Sequence, residues 1–542
     1  MTAIREHQAP PSSRPAIRRR AARAGSGALV GLLSAAAALG AGEAVAAFTG
    51  PRSSPVIAVG SQAIDLTPTP LKEYAVRTFG THDKLVLLGG IYSVLTLIAL
   101  AAGFAALRHP RTGPLLFAGF GAVGAWAAAA RPTAVAADTV PSLAAALVGA
   151  AALLLLVRTL RVPHPTAADP HIPDPHTPHP HTPHQHTPGR RSFVRTAGGT
   201  ALLAAGTGLG GRALSARRYD TGAARAAVRI PAPARRAPAV PLAARPRVPG
   251  LSPFLTPAAD FYRVDTALVL PQVDPRDWTL RIHGMVDHPV ELTFDDLLGR
   301  TLEEHDQTLS CVSNEVGGPY AGTARWIGAP LAGLLREAGV RRGADQLVSR
   351  SVDGMSIGTP VDAVLDGRAA LLAVAMGGEA LPVAHGFPCR MLVPGLFGYV
   401  SATKWLVDLE LTTFDAYDPY WVRRRWAARA PVKTASRIEV PKPFARIAAG
   451  PVTVAGTAWA THRGIDAVEV RVDGGAWAEA RLAARVSEDV WRQWTYDWQA
   501  PPGTHRIEVR ATDGTGALQP AARAAPFPDG ATGWHSTVVT VS

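Results

Sequence analysis

Long uncharged apolar runs constrain this chain more than any other feature. Ala24–Gly42 lies between Arg23 and Glu43 and continues apolar past Glu43 to Phe48. Leu85–Leu107, Thr112–Ala130 and Thr139–Val157 follow. Each approaches the ~20 residues that cross a hydrocarbon core as a helix. The runs predict transmembrane helices over 24–48, 85–107, 112–130 and 139–157. A shorter run rich in Gly and Ala, Thr196–Gly211, predicts a fifth over 194–214.

Basic flanks orient these spans. Arg18, Arg19, Arg20 and Arg23 precede the first, and Arg108 and Arg111 separate the second from the third. Arg158, Arg161, Arg190, Arg191 and Arg195 lie between the fourth and fifth. All three groups read as cytoplasmic. The chain is then a multi-pass protein of the cytoplasmic membrane, with everything after about residue 215 outside. The outer loop Thr49–Lys84 carries basic residues too and departs from the rule. Gly189-Arg190-Arg191-Ser192-Phe193-Val194-Arg195 has the form of a twin-arginine export signal, and also of an ordinary positive-inside flank. Ala213-Leu214-Ser215-Ala216 would permit cleavage; a retained anchor is expected.

Composition fits this reading. Charged residues make up 18% of 542, and the formal charge is +13. A pI near 10.3 would normally suggest nucleic acid. However, residues 1–24 carry +5 and residues 217–247 carry +7, or +12 of the +13. The charge belongs to topology and a linker, so no nucleic-acid partner is expected. Two cysteines exclude a disulfide scaffold and a cysteine-built zinc cluster. Pro163–Pro188 is a His-Pro-Thr tract with seven histidines. It reads as a cytoplasmic spacer over 163–188, with metal chelation as the alternative. Residues 216–250, rich in Ala, Pro and Arg, read as an extended linker near anionic headgroups.

Residues 251–430 have mixed patterns. Trp278–Met285 alternates like a strand, Thr293 caps a helix start with early acids, and Ala329–Ala338 reads as an amphipathic helix before Gly339. Residues 431–542 turn all-β. Val452–Trp459, Ala467–Val472, Trp477–Leu482, His505–Ala511 and His535–Val541 predict strands of an immunoglobulin-like sandwich.

A lone cysteine is usually a small buried hydrophobe. The company of Cys311 is different. Leu309-Ser310-Cys311-Val312-Ser313-Asn314 is followed by Ala324-Arg325-Trp326-Ile327-Gly328-Ala329-Pro330-Leu331 and Ser351-Val352-Asp353-Gly354. Leu381-Pro382-Val383-Ala384-His385-Gly386-Phe387-Pro388-Cys389-Arg390, Val393-Pro394-Gly395, Gly398 and Lys404-Trp405-Leu406 come next. With Phe261-Tyr262 ahead of them, these motifs resemble the sulfite oxidase family of molybdopterin enzymes over about residues 255–542. The resemblance implies three regions: an α-helical transmembrane region, an α+β molybdopterin domain and an immunoglobulin-like domain of the type that dimerises in the family.

It also implies a molybdenum-molybdopterin cofactor with Cys311 as metal ligand, a thiolate being a good soft donor. Phe261, Tyr262, Asp265, Ser313, Asn314, His385, Arg390, Gly395, Gly398 and Lys404 match cofactor-binding positions. Arg390 and Lys404 would offer charge-assisted hydrogen bonds, and Gly395 and Gly398 would let backbone approach the pterin. Cys389 reads as buried and inert. Arg263, Arg424 and Arg492 would form a cationic pocket for a small anionic substrate. Two departures bear on substrate. Val264 falls where the family has its substrate arginine, and Trp426 falls where it has a tyrosine at the metal. Thr266 also replaces a cofactor-contacting histidine.

The implied activity is sulfite oxidase-like oxygen-atom transfer. The alternatives are sulfoxide or N-oxide reduction, or a surface protein that kept only the scaffold. The predicted spans contain no histidine and the chain no Cys-x-x-Cys-His, so electrons are expected to pass to an external cytochrome or quinone. Glu43 is a weak functional candidate within the first span.

Overall fold

A computed structural model describes residues 14–79, 82–109, 111–160 and 190–542. The predicted His/Pro-rich loop over 163–188, with Arg161 and Gly189, lies outside the described residues. The chain forms two compact units, Met1–Asp220 and Thr221–Ser542.

The first unit is helical: α1 (Arg14–Thr49), α2 (Pro55–Leu66), α3 (Thr69–Phe79), α4 (Asp83–Arg108), α5 (Thr112–Ala129), α6 (Val140–Leu160) and α7 (Arg190–Tyr219). Among the described residues, four helical segments are long and apolar enough to cross a membrane: Gly25–Thr49, Asp83–Arg108, Thr112–Ala129 and Ala136–Leu160. The fifth predicted span forms the 30-residue helix α7 but is not among those four, because six glycines dilute its apolar content. Helix α7 runs parallel to α1. Ala37 packs on Ala204, and further along a Cβ on Gly211 would stand 2.6 Å from Ala44 N. Small residues thus bring the two backbones together, as in membrane helix pairs. The predicted outer loop is not irregular: it holds α2 and α3. Pro55 opens α2 at a position where a missing N–H costs nothing, and Ala58 of α2 is buried against Ala127 and Ala128 of α5.

In the second unit, Gly222–Ala227 form a short helix where an extended linker was expected; residues 228–250 are extended apart from one turn at Leu242–Ala244, and the segment is not a free linker. Thr221 donates to Gln272, and the Arg225 guanidinium donates to the carbonyls of Leu381 and Ala380 at 2.8 and 2.6 Å. Ala234 N donates to Leu302 O, Glu304 N to Arg235 O, and Ala484 N to Ala243 O. Val228, Ile230 and Val240 pack against the core. The segment is a strap that reaches from the mixed domain to the all-β domain.

The mixed domain has strands β1 (Thr279–Gly284), β2 (Val290–Thr293), β3 (Glu303–Ser310), β4 (Ala321–Pro330), β5 (Gln346–Ser351), β6 (Ser356–Pro360), β7 (Leu371–Met376), β8 (Glu379–Ala380), β9 (Arg390–Leu392) and β10 (Leu406–Thr412). One sheet runs β2-β1-β10-β5-β6, with β1 and β10 parallel; the other runs β3-β4-β7-β8, with β9 on β7. Thr293 caps the helix Phe294–Leu298 in a box with Asp296, and Gly339 ends the helix Leu331–Ala338 in a left-handed turn. Trp278, Leu280 and Ile282 join Val374, Ala375 and Cys389 in one core.

The all-β domain has β11 (Ala435–Val440), β12 (Arg446–Ile447), β13 (Gly450–Trp459), β14 (Ile465–Val472), β15 (Ala478–Glu479), β16 (Arg481–Leu482), β17 (Arg492–Ala500), β18 (Gly503–Asp513) and β19 (His535–Val541). Sheets β11-β13-β17-β16 and β12-β19-β18-β14-β15 share a core of Val454, Ala458 and Trp494 from one and Val468, Val470, Ile507, Val509 and Val539 from the other. Alternating inward residues of two such sheets make a sandwich. The predicted strand Trp477–Leu482 is two strands. β15 pairs with β14 and β16 with β17, so the chain changes sheet at the buried Ala480.

Candidate active site

Cys311 opens the connection between β3 and β4. Its N–H donates to Tyr320 O, Asn314 N donates to Cys311 O, and Asn314 Oδ1 accepts from Tyr320 N at 2.8 Å. These bonds tie a loop over 311–320 at its base. Asn314 is thereby a loop residue, which accounts for it without a cofactor. Ser313, two residues on, lies close enough for its N–H and hydroxyl to favour a Cys311 thiolate. Burial pushes the Cys311 thiol up, while the Ser313 donors and the nearby Lys404 charge oppose that rise.

Two segments bring cations to this sulfur. Arg390 begins β9, and Lys404 precedes β10. Gly386, at φ +108, lets them meet: a Cβ there would stand 3.0 Å from Lys404 Cα and 3.1 Å from Arg390 Cβ. Trp405 locks the segments together, its indole N–H donating to Val383 O at 2.9 Å. Lys404 Nζ donates to Asp265 Oδ2 at 2.8 Å, and Arg263 Nε donates to the same oxygen at 2.9 Å. Burial lowers Lys404 to about 8 against the pull of Asp265. It lowers Arg390 to about 10.

Arg390 is 5% exposed. One of its nitrogens donates to His385 O, its guanidinium lies 5.0 Å over the Trp326 ring, and its Nε has no partner. The Trp326 indole N–H and the Thr256 hydroxyl are also buried without partners. The Phe261 ring meets Trp326 and His385 edge-on and stacks with Tyr262, and with Thr256 it lies against Gly322. Unpaired buried donors are costly. The buried Arg390 with its unpaired Nε, and Lys404 on the adjoining segment, fit an acceptor-rich anion. His385 Nε2 bonds to Ala258 O at 3.0 Å, and burial beside Arg390 lowers its imidazole to about 4. It is neutral at pH 7, with Nε2 carrying the proton and Nδ1 left to accept. Burial also raises the Tyr262 phenol, which lies near Cys311 and Arg390.

Most of the sequence-predicted residues therefore meet: Phe261, Tyr262, Arg263, Asp265, Cys311, Ser313, His385, Arg390 and Lys404. Gly398 joins them, with Tyr262 Oη 3.9 Å from where its Cβ would stand. Four are accounted for by other contacts: Asn314 in its loop, and Gly395, Arg492 and Arg424 as follows. Gly395 is glycine because a Cβ would stand 2.8 Å from His462 and 2.9 Å from Arg368; it serves packing. Arg492 is held within the sandwich by Ile465 O at 2.9 Å and Ala483 O at 2.8 Å. Arg424 folds back over the Tyr420 ring at 3.5 Å and donates to Tyr420 O. Trp426 is buried among Tyr399, Trp421 and Phe527, its indole N–H unpaired. Cys389 is buried in the core, both cysteines are unpaired, and burial raises its thiol. Trp326 and Thr256 were not legible as site residues from sequence, although Trp326 belongs to one of the quoted motifs.

Residues 267–421 match the model of the oxidoreductase molybdopterin binding domain. The chain is 30% identical over 318 residues to the mitochondrial sulfite oxidase of Mus musculus, covering 49% of this chain and 57% of that protein. It thus spans little more than half the length of that relative. It is 31% identical over 160 residues to the uncharacterized oxidoreductase YuiH of Bacillus subtilis, covering 29% of this chain and 75% of that protein. The sulfane dehydrogenase SoxCD structure from Paracoccus pantotrophus aligns with a TM-score of 0.47 at 24% identity, covering 53% of this chain and 84% of that one. On the matches to the domain model and to these two relatives, the chain belongs to the sulfite oxidase family of molybdopterin oxidoreductases.

Proposed function

We propose that this chain is a membrane-anchored, molybdenum cofactor-dependent oxidoreductase that moves an oxygen atom to or from a small substrate outside the cytoplasmic membrane. One observation carries the proposal: Cys311 lies near Lys404, and the adjoining segment holds the buried Arg390 with its Nε unpaired. When bound, molybdopterin supplies two-electron oxygen-atom transfer, which no side chain provides. Cys311 would ligate the metal as a thiolate, and Ser313 would orient and stabilise that sulfur. Arg390 and Lys404 would hold the anionic phosphate. Neutral His385 would accept a hydrogen bond at Nδ1 while Ala258 O fixes its ring.

The basic flanks and the parallel packing of α7 on α1 support five crossings, with residues 221–542 outside. The Arg190-Arg191 pair is consistent with export of a folded domain. The described spans hold no histidine, so the electron partner on this reading is an external cytochrome or quinone. The sandwich is read as immunoglobulin-like and as the surface of a homodimer.

Substrate is a choice between two readings. A small oxyanion such as sulfite follows the family. A sulfoxide or N-oxide is favoured by the engagement of Arg492 with two carbonyls and of Arg263 with Asp265. The purified full chain is expected to contain molybdenum and pterin, and Cys311→Ser to lose the metal. Sulfite-dependent reduction of cytochrome c or ferricyanide, run beside oxidation of a reduced dye by sulfoxides, separates the substrates. A metal-free protein whose properties Cys311→Ser leaves unaltered would refute the enzyme reading.

A further inference from the structure

Cys311 is bracketed by contacts from the all-β sandwich on both sides of its position in sequence. Three residues before it, Thr308 N donates to Asp489 O at 2.9 Å, and Thr308 Oγ1 accepts from Trp491 N at 2.7 Å. The Trp491 indole reaches on to Phe254 O at 2.9 Å. Seven residues after Cys311, Gly318 O accepts from Arg437 Nη1 at 2.8 Å. Arg437 is itself fixed, since Glu439 Oε1 accepts from its Nε and Nη2, and Thr457 and Ser252 N donate to the same carboxylate. Arg437 and Glu439 are 8% and 6% exposed. Gly317, at φ +79, lies against the His535 ring so closely that a Cβ would overlap it. His535 is held by Ile438 N, which donates to its Nδ1 at 3.0 Å.

These contacts form a clamp. Its upstream jaw is the Asp489–Trp491 segment, which grips the strand that delivers Cys311. Its downstream jaw is Arg437 and His535, which grip the loop that carries Ser313. Asn314 closes that loop on Tyr320, so a force at 317–318 is passed to the Ser313 donors without a flexible hinge. The geometry points to Arg437 and His535 as positioning residues for the Cys311 sulfur, which makes the sandwich a working part of the metal site. Neither residue touches the sulfur; both act through the loop. This inference rests on Cys311 being the metal ligand.

The charge arrangement indicates how to test it. Removing Arg437 alone would leave Glu439 as an unpaired buried carboxylate, so the informative variant is Arg437→Met/Glu439→Gln. The full-length protein is prepared from a host that makes no molybdopterin, and Cys311 is alkylated with iodoacetamide. The Cys311 rate per thiolate, obtained from the pH profile of alkylation, is expected to rise about tenfold on release of the loop, roughly the loss of one hydrogen bond to a charged group. Amide exchange at 312–320 should accelerate with it. Cys389, 0% exposed, serves as the internal control and must stay protected. Arg437→Lys, which keeps a donor for Gly318 O, should restore most of the slow rate. His535→Ala, which opens the other side of the jaw, should give the same direction and covers the case in which the double variant fails to fold. Unchanged Cys311 reactivity and exchange in a folded variant, with Cys389 protected, overturns the clamp. The metal content of wild type prepared from a competent host is read separately. Its absence sinks the cofactor reading, whereas the alkylation rates still decide the clamp.

Discussion

Arg390 gives the sharpest prediction because it makes stability and binding move in opposite directions. Its guanidinium is buried, donates to His385 O at 3.1 Å, and leaves Nε without a partner. Burial lowers its pKa from 12.5 to about 10. At 1.36 kcal/mol per pKa unit, the cation is disfavoured in the cofactor-free fold by ~3 kcal/mol. Methionine has a similar stem and no charge. Arg390→Met removes that penalty and gives back ~1–2 kcal/mol by leaving His385 O unpaired. The cofactor-free variant should therefore be more stable than wild type by about 1–2 kcal/mol, a case of a buried charge that an apolar residue outperforms. The same change removes the strongest anion donor in the site, so molybdenum and pterin should be lost from protein made in a competent host. The assay is urea unfolding of both cofactor-free proteins, followed by tryptophan fluorescence, with metal and pterin analysis in parallel. A variant that is less stable and still retains the cofactor would refute the claim that Arg390 is held in a costly place for an anion.

Three further outcomes follow from the same geometry. His385 and His535 are both lowered from 6.5 to about 4, mainly by burial. The unfolded chain takes up these protons below 6.5 and the folded chain only near 4, so stability should fall with pH across 6.5 to 4, by up to ~3 kcal/mol per histidine. Unfolding midpoints against pH test this, and His385→Gln should flatten the slope by about half. Cys311→Ser should lose the metal with little change in cofactor-free stability, whereas Cys389→Ala should keep the metal and cost about 1 kcal/mol of packing. Equal metal loss in both would contradict their assignments. In the helical unit, Ala37→Cys/Ala204→Cys should cross-link, and adding Gly211→Leu should suppress the cross-link by forcing α7 from α1. A cross-link that Gly211→Leu leaves unchanged counts against the close helix pair.

The parts of the site that were legible in sequence are those carried by short contiguous blocks. Cys311 with Ser313, and His385 with Arg390, travel together in the chain, so one turn of backbone brings them to one place. Arg492 was misplaced because its partners, Ile465 O and Ala483 O, come from other strands, and strand order cannot be read from a local pattern. The clamp on Cys311 was invisible for the same reason: Arg437 meets Gly318 across 119 residues. Residues 221–250 show a different limit. Proline gave extended backbone only from Pro231 on, since the proline-free Gly222–Ala227 is helical, and composition speaks only of intrinsic conformation. Even where prolines remove N–H donors, the carbonyls of Arg235, Pro238 and Ala243 remain to accept from the folded domains. Helix α2 was missed because its 12 residues are shorter than any run that crosses a bilayer.

The distribution of charge bears on what the site can accept. Sequence gave it Arg263, Arg424 and Arg492 as a cationic pocket. Arg263 shares Asp265 with Lys404, so those three groups together carry one net positive charge where two cations stand. Arg492 is committed to carbonyls of the sandwich, and Arg424 lies over Tyr420. Val264, 40% exposed, adds an apolar surface beside Arg263. What remains strongly cationic is the buried Arg390, on the cofactor side. A buried cation is kept against its desolvation cost only where an anion repays it. Arg390, buried without a carboxylate partner, therefore argues for an anion on the cofactor side, whereas Arg263 and Lys404 are already met by Asp265.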